Sequence, residues 1–153
     1  MIVTQKKLKN IVATLRRENK KIVFTNGCFD IIHPGHIRSL EEAKRYADIL
    51  IVGINSDSSI KRIKDDSRPI FNQNERAEIL SSLRVVDYVV IFYENTPRDL
   101  IKMIRPDFLA KGGDWSIDKI VGGEFVNSYG GKVISLPYLK GYSTTGILNR
   151  INK

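Results

Sequence analysis

Two histidines three positions apart, His33 and His36, are the residues of this chain whose types and spacing are best suited to chemistry. They flank Pro34-Gly35 and follow the apolar run Ile22-Val23-Phe24, a pattern typical of a buried strand. A turn between a strand and a helix offers free backbone N–H groups and the positive end of the helix dipole, and both favour an anion. The segment therefore predicts a phosphate-binding turn.

Two other interpretations of the histidine pair are open. A metal site has weak support, because the chain has only two histidines and no suitably spaced cysteine joins them. A histidine in isolation is more often a packed structural residue. The position of the pair between a strand and a helix favours the phosphate interpretation, because imidazole donors stabilise the negative charge that grows on phosphate oxygens during transfer.

The rest of the chain supplies the elements that would position this turn. Apolar residues recur at spacings of three and four in the helical segments and form short uninterrupted runs in the strands. The predicted strands cover residues 22–24, 49–54, 88–92, 107–110 and 132–136. The predicted helices cover residues 4–19, 34–47, 72–83, 98–104 and 117–129, with a last helix from residue 143.

Strands and helices alternate with connections too short for anything but crossovers. This alternation predicts an α/β fold, a Rossmann-like doubly wound parallel sheet of about five strands with helices on both faces. The length fits a single domain over residues 1–153, with an N-terminal helix in 1–20 and a core in 21–151. Because ligands bind such sheets beyond the carboxyl ends of the strands, we expect four loops to meet there, at residues 28–36, 55–57, 111–115 and 140–145.

The net charge of the chain indicates which kinds of partner it attracts. With 25 Lys+Arg against 17 Asp+Glu, the net charge of +8 favours polyanions, whether nucleic acid, a membrane surface or a phosphorylated small molecule. No recognisable nucleic-acid-binding motif is present, and phosphate-rich substrates explain the charge equally well. No stretch approaches the ~18 apolar residues needed to cross a bilayer. The single cysteine, Cys28, excludes an internal disulfide, so we expect a cytoplasmic protein.

A longer series of motifs resembles the cytidylyltransferase-like nucleotidyltransferases, whose hallmark is His-x-Gly-His. The series spans residues 25–151 and is most similar to the heptose 1-phosphate adenylyltransferases of that superfamily. Besides the histidine motif it contains Asn55-Ser56-Asp57, Arg68-Pro69-Ile70, Glu75-Arg76, Val86-Asp87-Tyr88-Val89-Val90, Arg105-Pro106-Asp107, Lys111-Gly112-Gly113-Asp114 and Gly141-Tyr142-Ser143-Thr144-Thr145. Tyr142 stands where the superfamily's Ile-Ser-Thr-Thr signature has Ile, as in the heptose enzymes.

The resemblance implies transfer of AMP from ATP to a sugar 1-phosphate, D-glycero-β-D-manno-heptose 1-phosphate in this subfamily, giving ADP-heptose and pyrophosphate. The enzyme supplies no covalent nucleophile, so positioning and electrostatic stabilisation carry the catalysis. One alternative is a cytidylyltransferase for glycerol 3-phosphate or a similar polyol phosphate. From a different class, the alternative is a non-catalytic nucleotide- or nucleic-acid-binding module.

The same resemblance implies roles for individual residues. The catalytic residues are His33, His36 and Lys64. The nucleotide contacts are Cys28, Phe29, His33, His36, Gly113, Asp114, Lys140, Tyr142, Ser143, Thr144 and Thr145. The contacts to the sugar phosphate are Asp30, Lys64, Arg84 and Arg98. Two of these roles have open alternatives, since Asp30 could instead hold the turn and Ser143 could be an ordinary helix cap.

The resemblance also implies a cofactor and partners. Magnesium would bridge the triphosphate, because histidines and lysines alone leave part of its charge uncompensated; the sequence names no metal-ligating residue. A separate sugar kinase would supply the substrate, because the first 20 residues are too short to hold one. We expect a homo-oligomer, by default a dimer, with neither nucleic acid nor membrane as a partner.

Overall fold

The computed structural model describes residues 1–64, 67–113, 116, 119–137 and 141–151. Its strands are β1 Ile2–Val3, β2 Ile22–Gly27, β3 Ile49–Asn55, β4 Tyr88–Phe92, β5 Phe108–Gly112 and β6 Lys132–Leu136. Its helices are α1 Gln5–Arg17, α2 Pro34–Lys44, α3 Asp57–Ile63, α4 Gln73–Ser81, α5 Arg98–Ile104, α6 Gly123–Ser128 and α7 Thr144–Ile151.

The strands form one parallel sheet in the order β1-β4-β3-β2-β5-β6. The predicted doubly wound α/β fold is therefore confirmed, with one correction: the sheet has six strands, because the two-residue β1 pairs with β4. So short a strand leaves no periodic pattern in the sequence. The order reverses between β2 and β5, where the chain crosses from one half of the sheet to the other.

Two apolar clusters cover the two faces of the sheet. On one face, Leu8 of α1 and Ile101 of α5 pack with Phe24 of β2. On the other, Leu40 of α2 and Leu80 of α4 pack with the strands. These side chains are at most 1% exposed, and burial of each stabilises the fold by roughly 1.5–3 kcal/mol. The packing fixes α2 on one face and α5 on the other, and so separates the two sides of the site.

Most helix starts follow from local sequence. Thr4 caps α1 by accepting a hydrogen bond from the backbone N–H of Lys7. A capping box begins α4, since the Asn72 side chain accepts from the Glu75 backbone while the Glu75 carboxylate accepts from the Asn72 backbone. Among the described residues, no helix has both the length and the apolar character needed to cross a membrane.

Candidate active site

The crevice between β2 and β5, at their carboxyl ends, is the point where the strand order reverses. Open α/β sheets bind their ligands at such a point, because the loops from the two strands turn away from each other there. Immediately after β2, Phe29 turns the chain with a φ of 47°, a left-handed conformation that non-glycine residues rarely adopt. This turn brings the two histidines to the crevice.

His33 is the N-cap of α2, with an extended backbone and Pro34 in the first turn. Its Nδ1 accepts a hydrogen bond from the backbone N–H of His36 at 3.3 Å. An imidazole nitrogen that accepts carries no proton, so in the neutral ring the proton is on Nε2. The cap thus selects the tautomer and leaves Nε2–H as the donor for an anion.

His36 stacks on His33, with 3.8 Å between the ring centroids and 19° between the ring planes. Its Nδ1 is the buried side-chain atom that lacks a hydrogen-bond partner among the described residues. Such atoms are rare in native folds, and their explanations include a catalytic role and an ordered water. Burial, and then the neighbouring charge of His33, lower the pKa of His36 to about 4; burial also lowers the pKa of His33. Both rings are therefore neutral at pH 7.

The lowered histidine pKa values predict that stability falls in mild acid. Between pH 6.5 and about 4 the unfolded chain binds a proton at His36 and the folded chain does not, so the free energy of unfolding decreases as the pH falls. The slope approaches about 1.4 kcal/mol per pH unit for one proton. Urea denaturation at pH 5.0–7.0 measures it, and His36→Gln should flatten the profile. Equal slopes for the two proteins would contradict the lowered pKa.

The histidines face a groove of about 330 Å³, here called the histidine groove. Its lining residues are His33, Gly35, His36, Ser39, Lys64, Gly112, Gly113, Pro137, Tyr142, Ser143, Thr144 and Thr145. The structure thus brings together seven of the residues predicted for the nucleotide, Gly113 and Tyr142 to Thr145 with the two histidines. The cap interpretation of Ser143 also holds, because its Oγ accepts from the Gly146 backbone at 2.9 Å.

A second, larger cavity of about 480 Å³ lies on the α5 side of the crevice and is here called the lysine cavity. It is lined by Asn26, Gly27, Cys28, Asn55, Ile63, Lys64, Asn95, Thr96, Pro97, Lys111, Lys119, Ile120 and Val121. Three of these described residues are lysines and none is a carboxylate. Three asparagines and a threonine add groups that can hydrogen-bond hydroxyls. Lys64 lines both this cavity and the histidine groove, so it sits between them.

Cys28 and Phe29 line a small cavity of about 170 Å³ below the crevice, together with His36, Lys111 and Gly112. Burial raises the pKa of the Cys28 thiol. A thiol with a raised pKa is a poor nucleophile at neutral pH. This agrees with a reaction that needs no covalent intermediate.

Arg76 is a residue whose importance the sequence pattern does not reveal. It is fully buried and its guanidinium makes four hydrogen bonds. Nε donates to the Phe71 carbonyl at 3.0 Å, one terminal nitrogen donates to the Cys28 carbonyl at 2.6 Å, and the other donates to the Asn55 carbonyl and to Asp57, both at 2.8 Å. One side chain therefore ties three loops at the site together. In the sequence it resembles a helix-face residue with a packed stem, because the loop carbonyls that it contacts are distant along the chain.

Asp30 also holds loops together, so the structure supports the second of its two predicted roles. The carboxylate is 1% exposed and accepts from Arg68 Nε at 2.6 Å. It also accepts from the backbone N–H groups of Ile70 and Phe71 at 2.8 and 3.1 Å. With both oxygens engaged inside the protein, the predicted contact between Asp30 and the sugar phosphate is not supported.

The two arginines predicted to contact the sugar phosphate, Arg84 and Arg98, lie at different edges of the sheet. Arg98 begins α5 and lines a cavity of about 330 Å³ that adjoins the lysine cavity and also contains Lys102 and Lys119. Arg84 lies in the turn before β4, and three residues later the Asp87 backbone donates to the carbonyl of Leu50, near the start of β3. Within one chain, the structure therefore places Arg84 at the opposite, amino edge of the sheet, away from the crevice, and does not support its predicted contact with the sugar phosphate.

Two predicted site residues, Asp114 and Lys140, lie outside the described residues. Within the described part of the chain, no group of three or more His, Cys, Asp or Glu side chains could hold a metal ion.

Comparison with known proteins places this geometry in context. The family model described as cytidylyltransferase-like matches residues 24–150. The chain is 48% identical over 146 residues to the bifunctional protein HldE of Geobacter sulfurreducens, covering 95% of this chain and 30% of the relative. It is 49% identical over 152 residues to the HldE of Aliarcobacter butzleri, covering 99% of this chain and 31% of the relative. The chain thus spans less than a third of these relatives.

Solved structures agree with the fold. The chain resembles a lipopolysaccharide core biosynthesis protein from Thermoplasma volcanium at a TM-score of 0.62 and 31% identity, covering 81% of this chain and 99% of that one. It also resembles the pantoate-β-alanine ligase of Francisella tularensis at a TM-score of 0.66, covering 99% of this chain and 77% of that one. At 21% identity, the second likeness bears on the fold alone.

Proposed function

The chain belongs to the cytidylyltransferase-like family, and from this premise we propose that it transfers AMP from ATP to a sugar 1-phosphate, releasing pyrophosphate. The observation that carries the proposal is the pair of sites at the crevice. The histidine groove and the lysine cavity meet at Lys64, which lines both. A transfer between two phosphates needs two anion sites that meet at one point.

In the proposed reaction, an oxygen of the acceptor phosphate attacks the α-phosphorus of ATP. The new P–O bond forms as the bond to the β-phosphate breaks, and the electron pair leaves with pyrophosphate. His33 Nε2–H donates to the triphosphate, and His36 lies beside it in the same stack. Lys64 reduces the repulsion between the two anions where their sites meet. These groups stabilise charge that grows in the transition state, and such stabilisation accounts for most of the rate enhancement in phosphoryl-type transfers.

Magnesium enters this proposal as part of the MgATP substrate, where it would neutralise triphosphate charge. The described residues that would face the triphosphate in the histidine groove include two neutral histidines and Lys64, which can donate hydrogen bonds to its oxygens. What these residues do is bind and orient the phosphates, and the hydroxyls of Thr144 and Thr145 add donors at the start of α7.

For the acceptor we propose a heptose 1-phosphate, and D-glycero-β-D-manno-heptose 1-phosphate in particular. Support comes from the motif series that resembles the heptose enzymes and from relatives named HldE at 48% and 49% identity. The lysine cavity supports the acceptor class, because it combines cations for a phosphate with amides and a hydroxyl for a polyol. A cytidylyltransferase for glycerol 3-phosphate is the second candidate; the name of the matching family supports the cytidylyl part of this candidate and does not bear on the acceptor.

The experiment is a matrix of pyrophosphate release. Each of the four ribonucleoside triphosphates is combined with heptose 1-phosphate, glucose 1-phosphate and glycerol 3-phosphate, and His36→Ala serves as the control for contaminating enzymes. We expect the highest kcat/KM for ATP with heptose 1-phosphate. Activity with CTP and glycerol 3-phosphate but none with ATP would replace the proposal with the second candidate. No turnover with any pair, together with salt-sensitive binding of DNA or RNA, would favour a binding module.

A further inference from the structure

We propose that Lys111 is a further catalytic residue, whose ammonium binds the phosphate of the acceptor inside the lysine cavity. The inference rests on the proposed transfer between two phosphates and adds to it a second cation at the reacting end of the acceptor. Lys111 belongs to the Lys111-Gly112-Gly113-Asp114 motif, of which only the last two residues are expected to contact the nucleotide. The motif itself assigns no role to the lysine side chain.

Successive side chains of β5 point to opposite faces of the sheet, and this alternation sets the direction of the Lys111 side chain. Leu109, two residues earlier, belongs to the apolar cluster that contains Phe24 and Ile101 on the α5 face of the sheet. Residues i and i+2 of a strand point to the same face, so Lys111 points to the α5 face as well. It accordingly lines the lysine cavity.

The next residue, Gly112, belongs to the opposite face. A Cβ atom added there would lie 3.7 Å from Ser39 Oγ of α2, on the side of the histidine groove. Gly112 and Ser39 both line that groove. Two consecutive residues at the end of β5 therefore border the two halves of the site, glycine on the histidine side and lysine on the acceptor side.

The surroundings of Lys111 suit a phosphate. Lys64 and Lys119 line the same cavity, so three lysines border the space in which the acceptor would lie. Lys111 is partly buried, and this burial lowers the pKa of its ammonium. A charge that water screens poorly attracts a dianion more strongly than an exposed lysine does. The binding of that dianion would in turn favour the charged form of the lysine.

The position of Lys111 also favours the acceptor phosphate over the triphosphate, which we propose to lie in the histidine groove. Lys111 lines the lysine cavity and the small cavity next to Cys28 and His36, and it is absent from the lining of the histidine groove. Lys64 lines the histidine groove as well as the lysine cavity and is exposed. The acceptor phosphate would therefore lie between an inner lysine and an outer one, beside the point where the two sites meet.

The test is Lys111→Met, with Lys102→Met as the matched control. Lys102 lines the adjoining cavity but neither the histidine groove nor the lysine cavity. We expect Lys111→Met to lower kcat/KM for the sugar 1-phosphate by roughly 10- to 100-fold, the range for one hydrogen bond to a charged group. The Kd of a non-hydrolysable ATP analogue should change less than about twofold, and Lys111→Arg should restore part of the activity. An unchanged kcat/KM in a folded variant, or an equal loss of affinity for the analogue, would overturn the role.

A labelling experiment on the unmodified protein gives a second readout that does not depend on turnover. Acetic anhydride at pH 7.5 modifies lysines, and mass spectrometry follows Lys111 and Lys102 separately. We expect inorganic phosphate or glucose 1-phosphate to slow the modification of Lys111 but not of Lys102. Protection without turnover of any substrate pair would support the phosphate site and count against the proposed transfer. Turnover without protection and without a Lys111→Met effect would overturn the role of Lys111 and leave the transfer standing.

Discussion

Replacing His36 with alanine is expected to lower kcat by roughly 10²-fold or more, the cost of removing one preorganised transition-state donor. The neutral ring is held by its stack on His33 and by the nearby ring of Phe29, whose centroid is 5.2 Å away. A donor held in place in this way needs no reorganisation when charge develops on the phosphate. Its loss should therefore affect the chemical step more than the binding of ATP.

Single-turnover pyrophosphate release with saturating ATP and acceptor measures this effect directly. Arg84→Ala is the control, because Arg84 lies at the other edge of the sheet, and its rate should equal that of the parent protein. Thermal unfolding of both variants shows whether the fold is retained. A His36→Ala rate within about threefold of the parent rate would refute the role assigned to this histidine.

The second large effect is expected at Arg76. Substitution by methionine should lower the free energy of unfolding by about 3–5 kcal/mol, because it removes four hydrogen bonds of a fully buried guanidinium, each worth roughly 1–3 kcal/mol when a buried partner is left unsatisfied. The cost arises because three loop carbonyls and the Asp57 carboxylate lose their donor at once. Arg76→Lys should recover little of this loss, since an ammonium cannot reproduce the planar fork of a guanidinium.

Urea denaturation of Arg76→Met and Arg45→Met compares a buried arginine with an exposed one. The side chain of Arg45 is 77% exposed and its ion pair with Glu42 is on the surface, so its substitution should cost less than about 1 kcal/mol. A cost below about 1 kcal/mol at Arg76 would show that the loops hold their positions without it. Because those loops carry Cys28 and Asn55 of the lysine cavity, we also expect Arg76→Met to raise the KM for the acceptor.

Much of the fold was predictable because its signals are local. Strands and amphipathic helices leave periodic patterns, and the capping box from Asn72 to Glu75 is visible as a spacing of three. The histidine turn was predictable for the same reason, since its strand, proline and helix follow each other in sequence. β1 escaped prediction because two residues form no pattern, and its stability comes from pairing with β4, which lies far along the chain.

The parts of the site that were not predictable depend on contacts between distant segments. The burial of Arg76 and the engagement of Asp30 by Arg68 appear only when three loops meet at the carboxyl edge of the sheet. The position of Arg84 at the amino edge was not predictable either, because the sequence around a basic residue does not show at which edge of the sheet the residue lies; that depends on the topology of the whole chain. The role proposed for Lys111 depends on the face of β5 on which its side chain lies, and that face is known only from the packing of the sheet.

The cap that His33 makes on α2 links the acid–base state of the site to the integrity of a helix. Protonation at Nδ1 would remove the acceptor for the His36 backbone N–H and place a positive charge at the positive end of the helix dipole. Both effects oppose the proton, so the helix itself keeps this ring in the form that donates outward from Nε2. Serine or asparagine could cap the helix equally well, but neither would present an Nε2–H to a phosphate, and this dual use gives a physical reason for histidine at this position.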